Sequence, residues 1–267
     1  MAVLTISREF ESGGYEIGSA LAEQMHYQYV GKKSFLENMK KAGEQWEKLF
    51  YELDESVPSL WEKHDREYRG FISLMESCIY DYALRDRVII IGRGGNFLLQ
   101  DIPHVLKIRL TALPEKRVEQ VMLKEYVDRK TAEWLIEKAD RGRAGYIKTN
   151  YHKNWYDVKY YDMVFNTGIQ SHEEIVKILA DALGERDTHA TPYATDLLLG
   201  RALAARIKAN IAMDQRLLIP TLEVFYDGKA IVLRGVVRDL NDSHRIEEMV
   251  CKIAEVKPVR NELHLRR

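Results

Sequence analysis

Short apolar runs alternate with amphipathic segments over about the first 185 residues of the chain. Four of these runs predict buried strands, at residues 3–7, 88–91, 105–110 and 163–166. The second and third runs are apolar on both faces, which is typical of central strands in a parallel sheet. Because helical patterns separate the strands, we expect an α/β domain that is built on a parallel sheet.

Amphipathic helices are predicted between these strands, from apolar residues spaced three or four apart. The region 34–85 is helical and rich in charge, and Pro58 is expected to separate two helices within it, because proline interrupts a helix. Ser171 is the expected N-cap of the last of these helices. The predicted helices are one that carries Ile17, Leu21 and Met25, those within residues 34–85, and those at 114–126, 131–148 and 172–183.

The pattern changes after residue 185. The segment 184–193 is rich in Gly, Asp, Thr and Pro, and it has almost no apolar residues, so we interpret it as containing a linker. Asp227-Gly228 between two β-rich runs indicates a hairpin. We expect domains at residues 1–185 and 194–267, joined by a linker at 186–193. The elements predicted for the second domain, in the order αββαβ, are helices at 195–212 and 243–256 and strands at 222–226, 230–237 and 259–265.

Composition and charge narrow the class of protein only slightly. The chain is 46% hydrophobic and 30% charged, which permits one large core or two unequal ones. The net charge of −1 divides into +3 over residues 194–267 (13 Lys/Arg against 10 Asp/Glu) and −4 over the rest. That asymmetry is too weak to indicate a nucleic-acid partner.

The cysteines and the N-terminal residues bear on the compartment. Cys78 and Cys251 show neither C-x-x-C spacing nor a Cys/His ligand cluster, so no metal site is predicted. We expect two buried free thiols in a reducing compartment rather than a disulfide. There is no long apolar core of a signal peptide and no apolar run near the ~18 residues of a membrane helix. The expected location is therefore the cytoplasm.

Residues 7–14 form a glycine-containing loop between the first strand and the first helix, with the sequence Ser-Arg-Glu-Phe-Glu-Ser-Gly-Gly. Phosphates bind backbone N–H groups at such a helix N-terminus, and Gly13 and Gly14 would let the backbone approach them. The loop departs from G-x-x-x-x-G-K-[ST], because Gly14 holds the lysine position and Tyr15 or Glu16 the position of the magnesium-binding hydroxyl. A simple tight turn also fits two glycines, so both interpretations stay open on these residues alone.

Four segments together resemble the cytidylate-kinase-like family over about residues 1–185. Residues 5–18, TISREFESGGYEIG, resemble its opening I-S-R-x-[YF]-G-S-G-G-x-x-I-[GA], in which lysine is generally absent too. Residues 88–96, VIIIGRGGN, resemble its strand that ends in G-R-G-G or G-R-D. Residues 138–148, KADRGRAGYIK, resemble its lid D-R-x-R-x-x-Y-[IV], and residues 161–167, YDMVFNT, its strand Y-D-L-V-[IL]-N-T.

This resemblance implies a P-loop kinase-type parallel sheet with flanking helices, in which ATP with Mg²⁺ donates its γ-phosphate to a nucleoside monophosphate. Arg93 would face the acceptor phosphate, and Arg141 and Arg143 would close from the lid onto the transferring group. Helical geometry points Arg143 away from the face that holds Arg141, unless the lid helix ends near Arg141. A basic helix end is also simply favourable for the helix dipole. The residues implied to bind the donor are Ser7, Arg8, Ser12, Gly13 and Gly14.

Several positions depart from the family pattern. Glu11 stands where the family usually has glycine, and it adds a carboxylate to a loop meant for polyphosphate. Arg8 is expected to be the only nearby cation that could compensate this charge, and it could equally well pair with Glu9 or Glu11 structurally. Ile91 and Gly94 occupy positions beside Arg93 where cytidylate kinases carry acidic residues. Both an active kinase and a catalytically weak or inactive nucleotide-binding sensor therefore stay open.

Residues 196–265 resemble a BON domain. The segment 222–237, LEVFYDGKAIVLRGVV, is similar to the BON core V-x-V-x-x-G-x-V-x-L-x-G-x-V, in which Gly228 and Gly235 are the most informative positions. The resemblance implies a small α+β (αββαβ) domain for binding or association, often with lipid or envelope components, and no chemistry. Regulation or localisation of the kinase, homo-oligomer formation and contact with a membrane surface stay open as its roles.

Overall fold

The computed structural model describes residues 1–53, 65–253 and 257–265, apart from Gln215, Leu218 and Pro220. These residues form two compact units. The first unit holds residues 1–53 and 85–190, and the second holds 65–84 and 191–265. The expected break at Pro58 and the last three residues of the helix predicted at 243–256 lie outside the described residues.

The first unit contains a five-stranded parallel sheet. Its strands are β1 (Val3–Arg8), β2 (Gln28–Val30), β3 (Val88–Ile91), β4 (Val105–Thr111) and β5 (Met163–Asn166). Their spatial order is β2-β3-β1-β4-β5, so β1 lies at the centre. It pairs with β3 up to Ile6↔Ile91 and with β4 up to Arg8↔Leu110. The carboxyl ends of β1, β3 and β4 therefore meet at one edge of the sheet, where ligands bind in open parallel sheets.

Helices cover this sheet and also form most of the second unit. In chain order they are α1 (Gly14–Met25), α2 (Lys32–Ala42), α3 (Glu44–Leu53), α4 (Arg66–Ala83), α5 (Gly95–Leu98), α6 (Pro114–Glu125), α7 (Arg129–Tyr151), α8 (His172–Arg186), α9 (Pro192–Met213) and α10 (Leu240–Ile253). Ser171 caps α8, as predicted, and it also forms a capping box with Glu174. A core of fully buried residues joins α1 and α8 to the sheet; it includes Ile6, Ile17, Leu21, Ile175 and Leu179.

The segment 138–148, which resembles the family's lid, lies within one continuous helix, α7. Asp128 caps α7 through the backbone N–H of Thr131, and the helix then runs without a break to Tyr151. It therefore does not end near Arg141. Neighbouring side chains on α7 keep the angular separation of an ideal helix, so Arg141 and Arg143 point in different directions.

The second unit pairs helices with a three-stranded sheet in the order β6-β7-β8. The hairpin β6 (Glu223–Tyr226) and β7 (Ile231–Val237) is antiparallel, and β8 (Val259–Leu265) runs parallel to β7. The predicted hairpin is confirmed, with Gly228 in the left-handed region (φ 93°). Gly200 on α9 is required by packing, because a Cβ there would overlap the ring of Tyr226. A core of α9, α10 and the sheet contains Ile207, Ile231, Leu233 and Ile246.

The segment expected to hold the linker has more regular structure than the sequence indicated. Helix α8 continues to Arg186, residues 187–189 form a short 3₁₀ helix, and α9 already begins at Pro192. Thr191 caps α9 through the N–H of Ala194, because Thr and Pro are also the residues that begin helices. The first unit ends at residue 190, and the second continues from residue 191. Helix α4 lies within residues 1–185 of the sequence, but it belongs to the second unit, where it packs along α9.

Both cysteines are thiols outside any disulfide; Cys78 is buried, as expected, whereas Cys251 is exposed. No helix in the parts of the chain that the structure describes combines the length and apolar character needed to cross a bilayer.

Candidate active site

The loop between β1 and α1 has the backbone that a phosphate site requires. Gly13 is the N-cap of α1, lies in the left-handed region (φ 79°), and provides no side-chain cap. A Cβ at Gly13 would lie 2.7 Å from Nε2 of His172, so a side chain there would have to displace that ring. The first N–H groups of α1 therefore have no side-chain cap, and together with the helix dipole they favour an anion.

Glu11 occupies a left-handed position in this loop, with φ 55°. Such a backbone costs a non-glycine residue about 1–2 kcal/mol, which gives a physical reason for glycine at this place. The Glu11 carboxylate is paired: Nζ of Lys124, on α6, lies 2.6 Å from Glu11 and 3.2 Å from Glu16. The expectation that Arg8 is the only nearby cation was wrong, because the fold brings α6 beside the loop.

The Lys124 cluster, defined as Lys124, Glu11 and Glu16, shifts the pKa of two of its members. A hydrogen bond to Glu11 raises the pKa of Lys124 against the opposing effect of burial, and Glu16 raises it further. Burial raises the pKa of Glu16, but its own backbone N–H, Lys124 and His172 together hold that pKa below the ordinary value. Lys124 and Glu16 are therefore both charged near neutral pH.

A buried ionic network fixes the other end of the loop. Glu9 accepts hydrogen bonds from Arg109 on β4 (3.3 Å) and Arg117 on α6 (3.4 Å). Asp140 on α7 accepts from the backbone N–H of Phe10 (2.8 Å) and from Arg117 (2.5 Å). The four charged side chains are each at most 17% exposed. The loop is thus held by one strand and two helices.

A second loop follows β3 and lies beside the first. Gly92, Arg93 and Gly94 are all left-handed, with φ of 72°, 56° and 76°. A Cβ at Gly92 would overlap the Arg8 guanidinium, so glycine makes room for that side chain. The guanidinium of Arg93 lies 4.8 Å from the centre of the buried Phe50 ring. The backbone that directly follows β3 is therefore strained at Arg93, and this residue lies at the carboxyl edge of the sheet.

These two loops and α7 enclose one cleft in the first unit. Arg8, Arg93 and Arg143 line it together with Asn96, and Tyr146 and Trp155 supply aromatic walls. Arg143 donates a 3.1 Å hydrogen bond to the carbonyl oxygen of Arg8. The result is a cationic cleft with aromatic walls at the edge of the sheet.

Trp155 is fixed in that wall by its neighbours. Its Nε1–H donates to Oγ of Ser7 over 2.8 Å, and the guanidinium of Arg109 lies 4.1 Å from the centre of its ring. The hydroxyl of Tyr161 donates to the Trp155 carbonyl over 2.7 Å. Ser7, implied by the resemblance to bind the donor, therefore also lines the cleft and holds the aromatic wall.

The structure brings most of the expected site residues together. Ser7, Arg8, Arg93 and Arg143 line the cleft, and Gly13 and Gly14 lie in the adjoining phosphate loop. The Ser12 hydroxyl is buried and donates to the carbonyl of Glu9 over 2.8 Å. Arg141 is outside the cleft: it is exposed and paired with Glu137 on the same helix.

Sequence reasoning missed Asn96, Tyr146, Trp155 and Lys124 as members of this region. Asn96 directly follows the Gly-Arg-Gly-Gly segment, and Tyr146 lies in the lid segment, so two of them had a signal. Trp155 and Lys124 had none, since only the packing of α6 and of the segment that follows α7 places them here.

The residues present fit the phosphate groups of a nucleotide. Left-handed Gly13, the uncapped N–H groups of α1 and the cleft arginines suit phosphate oxygens. Among the described residues, no group of three or more His, Cys, Asp or Glu side chains could hold a metal. Mg²⁺ characteristically binds substrate phosphates with only one or two protein carboxylates, so phosphate oxygens would supply most of its ligands.

Solved structures resemble the chain at the level of the fold. A crystal structure of an uncharacterized protein from Eubacterium ventriosum is 21% identical, with a TM-score of 0.53, over 69% of this chain and 99% of that one. Shikimate kinase from Acinetobacter baumannii, in complex with shikimate, is 16% identical, with a TM-score of 0.39, over 69% of this chain and 94% of that one. The first likeness supports the fold alone.

Sequence comparisons identify the family. The uronate isomerase of Corynebacterium glutamicum is 30% identical over 104 residues, which is 39% of this chain but only 20% of that protein. The chain thus matches about a fifth of that relative, and nothing about isomerase activity carries over. The BON domain pattern matches residues 201–267, and that of the cytidylate kinase-like family matches residues 3–169. The chain therefore belongs to the cytidylate kinase-like family and carries a C-terminal BON domain.

Proposed function

We propose that this protein is an ATP-dependent kinase that phosphorylates a nucleoside monophosphate, cytidylate-like, or a similar small acceptor. One observation carries the proposal: Arg8, Arg93 and Arg143 line a single cleft beside the Gly13 loop. Phosphoryl transfer asks the protein mainly to position two anionic reactants and to offset their charge. A phosphate loop next to three arginines meets that requirement.

Each part of the site has a role in this proposal. The N–H groups that follow Gly13 hold donor phosphates, and Arg93 holds the acceptor phosphate. Arg143, fixed against the Arg8 carbonyl, offsets charge on the group in transfer. Mg²⁺, when bound, neutralises oxygens of the donor phosphates. Tyr146 and Trp155 exclude water from the cleft, which limits hydrolysis.

The residues that line the cleft include no carboxylate, and this favours the rival function, a nucleotide-binding sensor without catalysis. Glu9 and Glu11, the acidic residues of the phosphate loop, are engaged with Arg109, Arg117 and Lys124. This arrangement favours, as a second candidate, a sensor that binds nucleotide without turning it over. A phosphate acceptor is already ionised at neutral pH, however, and it needs no general base, so the kinase remains the leading proposal.

A paired binding and turnover experiment separates the two. The full-length protein would be titrated calorimetrically with Mg-ATP and with UMP, CMP, AMP and GMP, and the same mixtures assayed for ADP and nucleoside diphosphate. The kinase proposal expects binding and turnover together. Binding of ATP and monophosphates without any diphosphate would overturn it and leave the sensor.

Two alanine variants form a matched control for the phosphate loop. Gly13→Ala should abolish ATP binding, because its Cβ meets His172 and its φ is 79°. Gly184→Ala makes the same chemical change where an added Cβ meets nothing within 4 Å, and it should bind ATP normally. Equal binding by both variants would argue against the Gly13 loop as the donor site.

The BON domain regulates or localises the kinase in this proposal. Adding anionic liposomes to the full-length protein and measuring both sedimentation and turnover distinguishes these roles. Co-sedimentation with unchanged turnover supports localisation, and changed turnover supports regulation. If the protein neither sediments with the liposomes nor changes its turnover, the BON domain binds another partner, such as a second copy of the chain.

A further inference from the structure

Glu11 is the residue of the phosphate loop to which the proposed function gives no role. It stands two residues before Gly13, the N-cap of α1, and Glu16 lies in the first turn of that helix. Burial raises the pKa of Glu16, but the backbone N–H of the same residue lowers it, so this carboxylate lies beside an N–H group of the first turn. Two carboxylates therefore flank the N–H groups that would hold donor phosphates.

Lys124 is the cation that these two carboxylates share. Its Nζ lies 2.6 Å from Oε2 of Glu11 and 3.2 Å from Oε1 of Glu16. The ammonium is supplied by α6, so it comes from the fold and not from the loop itself. Two carboxylates and one ammonium give the Lys124 cluster a formal charge of −1, whereas the two carboxylates by themselves would have −2.

The charge of this cluster bears directly on an anionic ligand. A polyphosphate has the same sign of charge as the carboxylates, and two unit charges about 4 Å apart change an equilibrium constant about fivefold even in bulk water, and more near a protein surface. Unpaired carboxylates at the N-terminus of α1 would thus oppose the ligand that the helix N–H groups attract. The cation from α6 reduces that opposition.

We infer that Lys124 is a positioning residue of the donor site: by pairing with Glu11 and Glu16, it lowers the negative charge of the phosphate loop so that a polyphosphate can bind there. This inference rests on the proposed function for the identity of the Gly13 loop as the donor site. Lys124 acts through the two carboxylates rather than on the phosphate itself. It follows that Lys124 becomes dispensable once the Glu11 carboxylate is removed.

Calorimetric titration of the full-length protein with Mg²⁺-free ATP, and separately with inorganic tripolyphosphate, tests this inference. Lys124→Met should bind both about tenfold more weakly than wild type, and Glu11→Gln, which keeps the shape of the side chain, should bind both more tightly. The double variant Glu11→Gln/Lys124→Met has the formal charge of the wild-type cluster and should bind like wild type. Lys229→Met, the same change on an exposed residue of the second unit, is the control and should also bind like wild type.

Two further conditions distinguish an effect of charge from a loss of local structure. Raising the salt concentration from about 50 mM to about 500 mM should shrink the difference between wild type and Lys124→Met, because ions screen charges at the surface. Adding Mg²⁺ should shrink it as well, because the cation offsets part of the phosphate charge. A difference that neither condition changes would overturn the inference.

The outcomes separate this inference from the proposed function. Equal ATP affinity of wild type and Lys124→Met would overturn the inference, even if the protein turns over every monophosphate. A double variant as weak as Lys124→Met would also overturn it, because Lys124 would then contact the phosphate itself. The expected order of affinities in a protein that forms no diphosphate would uphold the inference and overturn the kinase. If Lys124→Met fails to fold, Glu11→Gln alone decides, since binding no tighter than wild type contradicts the inference.

Discussion

The Arg143 guanidinium on α7 donates a 3.1 Å hydrogen bond to the backbone carbonyl of Arg8 in the phosphate loop. One residue of the lid helix thus touches the loop that would hold the donor. Its neighbour Asp140 binds the N–H of Phe10, two residues further along the same loop. The helix α7 and the phosphate loop therefore hold each other in place, and a substitution at these positions of α7 should change the geometry of both.

The two lid arginines should differ in their effect on turnover. Arg143 lines the cleft, whereas Arg141 is exposed and paired with Glu137. We expect Arg143→Ala to lower kcat by about 10³-fold, in the range of arginines that act on a transferring phosphoryl group, and Arg141→Ala to lower it much less. Steady-state kinetics beside ATP titrations measure both. A larger loss in Arg141→Ala would show that α7 turns during the reaction.

Removing the carboxylate of Glu9 should destabilise the first unit. Arg109 and Arg117 are 3% and 8% exposed, so Glu9→Gln leaves the buried charge of Arg109 without its carboxylate and that of Arg117 with Asp140 alone. We expect the free energy of unfolding to fall by about 3 kcal/mol. Glu133→Gln, which breaks an exposed pair with Arg129, should cost less than about 0.5 kcal/mol. Urea unfolding compares them, and similar losses would mean that the Glu9 network adds little to stability.

The strain at Glu11 can be separated from its ion pair. Glu11→Ala removes the contact with Lys124 but keeps a Cβ at φ 55°, whereas Glu11→Gly also relieves the backbone. Glu11→Gly should be more stable than Glu11→Ala by about 1 kcal/mol. Thermal unfolding of the pair gives the difference. A more stable alanine variant would mean that this loop is not left-handed in solution.

The Lys124 cluster should contribute stability over a defined pH range. The folded pKa of Glu16 is below its ordinary 4.5, so its contribution is present above 4.5 and is lost as pH falls through the lowered value. The folded pKa of Lys124 is above 10.5, so its contribution is present below 10.5 and is lost as pH rises through the raised value. Between these limits the unfolding free energy of the wild type should exceed that of Lys124→Met by about 0.5 kcal/mol, because the Lys124–Glu16 pair is exposed.

The measurement for this prediction is the difference in unfolding free energy between wild type and Lys124→Met from pH 3 to pH 9. The difference should be flat near neutrality and should vanish at the acid end. A difference that grows as pH falls below 4.5 would contradict the assigned pairing.

The sequence located those helices and strands whose apolar or capping pattern is complete within one segment of the chain. Val88–Ile91 was recognised because it is apolar on both faces, and α8 because its helical pattern follows Ser171, a residue type that caps helices. β2 was missed because only one of its three residues is buried, too few to show a period. The length of α7 was underestimated because Asp128 caps it so that it begins at Arg129, and because it continues past the predicted end to Tyr151.

The candidate site divides in the same way. Gly13 and Arg93 could be named because they lie in local motifs after strands. The contact between Glu11 and Lys124 joins residues 113 positions apart and depends on how α6 packs, so no local pattern could show it.

Transfer of a radiolabelled γ-phosphate from Mg-ATP to UMP, by wild type and by Arg93→Met, tests the central proposal most directly. Arg93 lies in the cleft but outside the Gly13 loop, so the variant should bind ATP normally and form labelled diphosphate at least about 10²-fold more slowly than wild type. Wild-type protein that labels UMP while Arg93→Met does not would support transfer in this cleft. Equal labelling by both proteins, or none by wild type with any of the four monophosphates, would contradict it.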